Sequence, residues 1–133
     1  MTYLLDTNIF LEILLGQEQA GSVKRLFTEI SPSRLYISDF SLHSIGILLF
    51  RRNLHEIYER FIEDVVINSG IGVLRLSAED VRAMAAFAQR FRLDFDDAYQ
   101  YTVAEKYGLT IVSFDSDFDR TEKGRIPPDK IKV

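Results

Sequence analysis

The sequence predicts an α/β fold: a central parallel sheet of four to five short strands covered by helices on both faces. Three observations carry that expectation. Short apolar runs recur at Tyr3-Leu4-Leu5, Leu35-Tyr36-Ile37, Val73-Leu74-Arg75-Leu76 and Leu109 to Ser113. Segments with helical spacing separate them, and strands that alternate with helices pair in parallel and are buried on both sides. The few Gly and Pro residues fall between these segments, with no linker, repeat or low-complexity tract, so the 133 residues read as one domain, 1–133.

Taken in order, the first strand ends at Asp6, and Asn8 is placed to cap a short helix through about Leu15 that Gly16 stops. Val23, Leu26, Phe27 and Ile30 mark a helix from about Ser22 to Ile30, broken by Pro32. After the second strand, Asp39 or Ser41 caps a helix containing Leu42, Ile45, Leu48 and Leu49. Ile57, Tyr58, Phe61, Ile62 and Val65 form one face of a helix from about Leu54 to Val66. Ser77 with Asp80 resembles a capping box opening a helix to about Phe91. Asp94 with Asp97 repeats that signal for a helix through Tyr107, which Gly108 ends. Ile131 to Val133 is a candidate for a short last strand.

Composition removes several chemistries. An apolar fraction of 47% with 27% charged residues is ordinary for a globular protein. The absence of cysteine excludes disulfides, thiolate zinc sites and cysteine nucleophiles. The opening MTYLLDTNIFLEILLG lacks a basic start and is cut by Asp6 and Glu12, so it reads as neither signal peptide nor membrane span, and the cytoplasm is the default expectation. A net charge of −4 argues at first against a nucleic-acid partner. Of the 20 acids, however, setting aside Asp6, Asp97, Asp115 and Asp117 leaves 16, equal to the 16 Lys plus Arg. The rest of the surface is then neutral, with Lys24–Arg25 and Arg51–Arg52 available for phosphates.

In open parallel sheets ligands bind beyond the carboxyl ends of the strands. Asp6 follows the first strand, Asp39 the second and Asp115 the fourth, while Asp97 lies in the first turn of the helix that feeds the fourth. The stretch VSFDSDFD adds Asp117 and Asp119, and crowded carboxylates are relieved by a bound cation. It is not an EF-hand, because Arg120 and Ile126 occupy the places of the required Gly and Glu. Asp119 reads as a solvated turn residue. Asp96, about 100° round the helix from Asp97, reads as a first-turn acid or a supporting group. Oxygen ligands without Cys and with two His select Mg²⁺ or Mn²⁺ over zinc, and such ions serve phosphodiester hydrolysis. There is no G-x-S-x-G elbow and no phosphate-binding G-x-x-x-x-G-K-[ST] loop. His43 and His55 read as packing or surface residues, and Asn8 fills the place where a haloacid dehalogenase-type phosphatase needs a second aspartate.

LLDTN at the start, DFDDA before a helix and IVSFDSDF after it, in this order, resemble the PIN domain family, including toxin nucleases of the VapC type. The likeness spans nearly the whole chain. It implies a three-layer α/β/α sandwich and Mg²⁺- or Mn²⁺-dependent cleavage of RNA that leaves 5′-phosphates. By resemblance, Asp6, Asp97 and Asp115 are catalytic and hold metal, and Asp117 holds a second ion or orients water. Asn8 or Thr7 supports Asp6, and Ser113 and Phe118 belong to the last motif. Toxin-type relatives are commonly homodimers inhibited by an antitoxin, which makes both partners expectations here; the helix face with Ile45, Leu48 and Leu49 is either an interface or core. The family usually carries a glutamate on the helix after the second strand, where this chain has Ser44. Either Asp39 or Asp117 compensates, or metal binds more weakly, or the domain has lost catalysis and binds RNA or a protein without cutting.

Overall fold

The computed structural model describes residues 1–132. Strands β1 (Tyr3–Leu5), β2 (Leu35–Ser38), β3 (Gly72–Leu74) and β4 (Thr110–Val112) form a sheet of order β3-β2-β1-β4 in which every pairing is parallel. The α-helices are α1 (Thr7–Leu14), α2 (Ala20–Glu29), α3 (Asp39–Arg51), α4 (His55–Phe61, continued by a π-helical turn over Ile62–Ile67), α5 (Ala78–Phe91) and α6 (Phe95–Tyr107). The chain builds outward from β1 to β2 and β3, then returns to place β4 on the other side of β1. That reversal is the topological switch point at which such sheets open a crevice.

Strand periodicity divides the core into two layers. Tyr3, Leu5, Leu35, Ile37 and Val112 point to one face, where Ile9, Phe10, Val23, Leu26, Ile45, Leu49 and Phe61 of α1 to α4 cover them. Leu4 and Ile111 point to the other, beneath Met84 and Phe91 of α5 and the buried run of α6. The predicted α/β/α layering is thus present. Ile45 and Leu49 are fully buried in the first layer, so of the two readings of this helix face the core one holds for them; the exposed apolar residues of α3 are Ile47 and Phe50.

Several local expectations are corrected. Asn8 does not cap α1: Asp6 does, accepting from Thr7 N at 2.8 Å. Neither Asp39 nor Ser41 caps α3: Ser38 does, its Oγ accepting from Ser41 N at 3.1 Å. The capping box of Ser77 and Asp80 on α5 is present, whereas Asp94 makes no side-chain cap on α6, and Asp97 is buried instead of completing a box. β3 starts at Gly72 and ends before Arg75; Tyr36 lies across its partner Gly72, where a Cβ would stand 2.6 Å from the ring, so the strand pair closes only over a glycine. No strand includes Ile131 or Lys132, and Val133 lies outside the described residues. The edge of β4 is instead met by a single parallel bridge from Ile126 to Val112.

Candidate functional site

Asp6 leaves β1 at the switch point, its backbone N–H still bonded to Val112 of β4 at 3.0 Å. Its side chain is 7% exposed and fully engaged. Oδ1 accepts from Thr7 N at 2.8 Å and from Gln100 Nε2 at 3.0 Å, and Oδ2 accepts from Ser113 Oγ at 2.6 Å. Burial pushes the Asp6 carboxyl above the usual range; the bonds from Ser113, Gln100 and Thr7 pull the other way without cancelling it.

Ser113 is the junction between Asp6 and the last motif. While donating to Asp6, its Oγ accepts from Asp115 N at 2.9 Å and from Asn8 Nδ2 at 3.3 Å. Asn8 also accepts from Phe114 N at 3.3 Å, so it braces the turn instead of capping α1. Asp115 Oδ1 then accepts from Asp117 N at 2.8 Å, which starts the 3₁₀ turn Ser116–Arg120. The alternating aspartates are therefore a folded turn, closed by Arg120, which donates to Asp117 Oδ1 at 3.0 Å and to the carbonyls of Phe91 and Arg92 at the C-terminal end of α5.

Asp97, Asp115 and Asp117 each present a carboxylate oxygen within 4.8 Å of the other two. Asp97 is 6% exposed, in the first turn of a helix buried continuously from Asp97 to Ala104. Its carboxyl is pushed up to about 8, first by burial, then by the hydrogen bond and charge of Asp115, and further by Asp96 and Asp6. Among the described residues Arg120 pairs with Asp117, but no ion pair reaches Asp97 or Asp115. Hard oxygen donors, crowded and with no side-chain cation balancing Asp97 or Asp115, suit a divalent cation.

The other sequence-predicted residues fall outside this group. Asp96 is exposed and acts on Asp97 through space. Asp39 is held by Tyr99, whose hydroxyl donates to it at 2.7 Å; burial, then this bond, pushes the Tyr99 hydroxyl up to about 12. Asp119 is exposed, as expected of a turn residue, and pairs with Arg125 at 3.2 Å. Ser44 is half-buried on α3, and that helix brings no carboxylate into the group. His43 and His55 are exposed, with His55 packed against Phe50 at 4.4 Å.

Sequence reasoning missed Gln100 and Ser41. Gln100 is 1% exposed, and its Nε2 bridges Asp6 Oδ1 and Ser41 Oγ, the latter at 2.8 Å. Its Oε1 has no partner among the described residues, and an unsatisfied buried acceptor costs about 1–3 kcal/mol. The signal was available: a glutamine one turn past Asp97, inside the otherwise apolar and aromatic run AYQYTVA.

Against known proteins, the family model described as PIN domain matches residues 3–124. The chain belongs to the PIN domain family. Solved PIN-like structures superpose over nearly the full length of both chains. VapC20 of Mycobacterium tuberculosis, a sarcin–ricin loop cleaving toxin, matches with a TM-score of 0.80 and 22% identity, covering 96% of this chain and 100% of its own. A toxin–antitoxin complex from Klebsiella pneumoniae gives 0.77 and 19% identity over 98% of this chain and 100% of that one. FitAcB from Neisseria gonorrhoeae gives 0.74 and 17% identity, covering 96% and 98%. At these identities the likeness concerns the fold. No curated protein matches the sequence.

Proposed function

We propose that this PIN domain is a Mg²⁺- or Mn²⁺-dependent endoribonuclease, acting as the toxin of a toxin–antitoxin pair. The observation that carries the reading is the approach of Asp97, Asp115 and Asp117 to within 4.8 Å, with buried Asp6 tied beside them through Ser113. Membership of the PIN family and the toxin identity of the similar structures support it.

Asp97 and Asp115 hold the metal in this reading, with Asp6 as a further ligand and Asp117 at the outer side of the site. A divalent ion held there would supply an acidified water and charge neutralisation for a phosphodiester. The protein's own contribution is placement. Ser113 fixes Asp6 and Asp115 relative to each other, Asn8 braces their turn, and Arg120 takes part of the charge of Asp117. Water replaces the 3′-oxygen at phosphorus, leaving a 5′-phosphate and a free 3′-hydroxyl. The protein acts in the cytoplasm, with an antitoxin as inhibitor and a second copy of the chain as partner.

The test is incubation of purified protein with a mixed RNA panel in Mn²⁺, Mg²⁺ or EDTA. Cutting that needs the metal is the expected result; equal cutting in EDTA contradicts the metal site. One observation favours a second reading, a domain that binds RNA or a protein without cutting: α3 has Ser44 where the family glutamate is expected and brings no carboxylate into the acidic group. An inactive parent whose Ser44→Glu variant gains strong nuclease activity would select it.

A further inference from the structure

Gln100 sits one helical turn beyond Asp97 on α6, on the same side of the helix, and is almost wholly buried. Its amide N–H groups reach two acceptors on different elements: Asp6 Oδ1 at 3.0 Å and Ser41 Oγ at 2.8 Å. Ser41 in turn meets Thr7 Oγ1 at 2.8 Å and Ser38 Oγ at 3.3 Å. One side chain thereby links the ends of β1 and β2, the first turns of α1 and α3, and α6.

Chemistry fixes which way the amide faces. Turned over, its carbonyl oxygen would oppose a carboxylate oxygen, so the amino group belongs against Asp6. An apolar residue of the same length would fill the space without leaving Oε1 unpartnered, so packing alone does not call for glutamine here. The amide is used through its amino group, which joins Asp6 to Ser41.

We infer, on the metal-site reading above, that Gln100 is the positioning residue of Asp6, fixing the orientation of that carboxylate beside the Asp115 motif from a corner where α3 offers the Ser41 hydroxyl. A carboxylate at that corner would add negative charge to acids that already repel. A neutral amide orients Asp6 without doing so.

The test is Mn²⁺ titration of the whole chain, followed by electron paramagnetic resonance, for the parent, Gln100→Leu and Ser41→Ala, with thermal unfolding in EDTA alongside. Gln100→Leu should bind Mn²⁺ about 10- to 100-fold more weakly, as loss of a group that orients a ligand does. Ser41→Ala, which keeps the amide but removes its anchor, should lose less. RNA cleavage should lose kcat with KM unchanged, and the unfolding in EDTA separates any loss of folding from the loss of metal. If Gln100→Leu does not fold, Ser41→Ala decides. Parent-like Mn²⁺ affinity in the variants, even with lowered melting, overturns this inference alone. A parent that binds no Mn²⁺ overturns the metal-site reading and this inference with it.

Discussion

Ser113, at the end of β4, donates its hydroxyl to Asp6, at the end of β1, over 2.6 Å and 107 positions of sequence. The same oxygen accepts from Asp115 N, so a single buried atom joins the first and last acidic motifs. Ser113→Ala removes that junction and leaves the Asp115 amide and Asp6 Oδ2 without this partner. Chemical denaturation should show a loss of about 1–3 kcal/mol, the cost of stranding buried polar groups. A variant as stable as the parent would mean that the two motifs are held together by something else.

Burial, and then the neighbouring Asp115, push the Asp97 carboxyl from its ordinary 3.8 up to about 8. The folded chain holds this proton more tightly than the unfolded chain, so ionising Asp97 costs stability. The cost is absent below about pH 4, grows as pH rises and levels off above about pH 8. In EDTA the melting temperature should therefore fall between pH 5 and 8 in the parent and fall less in Asp97→Asn. Mn²⁺ should remove most of the fall, because a dication favours the ionised carboxylates. Equal slopes in parent and variant would contradict the assignment of the proton to Asp97.

Arg120 ties the 3₁₀ turn bearing Asp117 to the carbonyls of Phe91 and Arg92. Its ion pair with Asp117 is partly exposed and contributes little, whereas the two carbonyl bonds should contribute about 1–2 kcal/mol. Arg120→Ala should lower stability by that amount in denaturant. Asp117→Asn, which removes the charge but leaves the carbonyl bonds, should cost less. The reverse order would place the energy in the ion pair.

Gly72 lies under the ring of Tyr36, too close for a Cβ. Gly72→Ala should displace the ring and cost about 1–3 kcal/mol, the usual penalty of overpacking. Tyr36→Ala should relieve that clash, so the double variant should lose less than the two single changes together.

The layer architecture was legible because strand and helix periods are both clear in short, well-separated segments. The acids were legible for a topological reason: a parallel sheet brings its strand ends together whatever their spacing in sequence. What could not be read was which polar residue serves which purpose at those ends. Asp6, Ser38 and Asn8 are all chemically competent caps, and only the tertiary contacts of Ser113 show that Asn8 braces a turn while Asp6 both caps α1 and bonds the last acidic motif through Ser113. Asp97 looked like half of a capping box because inward and capping carboxylates have the same helical position. Gln100 was passed over because an uncharged residue inside an apolar helix gives no pattern of its own.

The most direct test of the account is a crystal soaked in Mn²⁺ and measured for anomalous scattering. The account predicts a peak at about 2.0–2.3 Å from the carboxylates of Asp97 and Asp115, facing Asp6. A soaked crystal with no peak there, or with manganese bound only elsewhere, would contradict it.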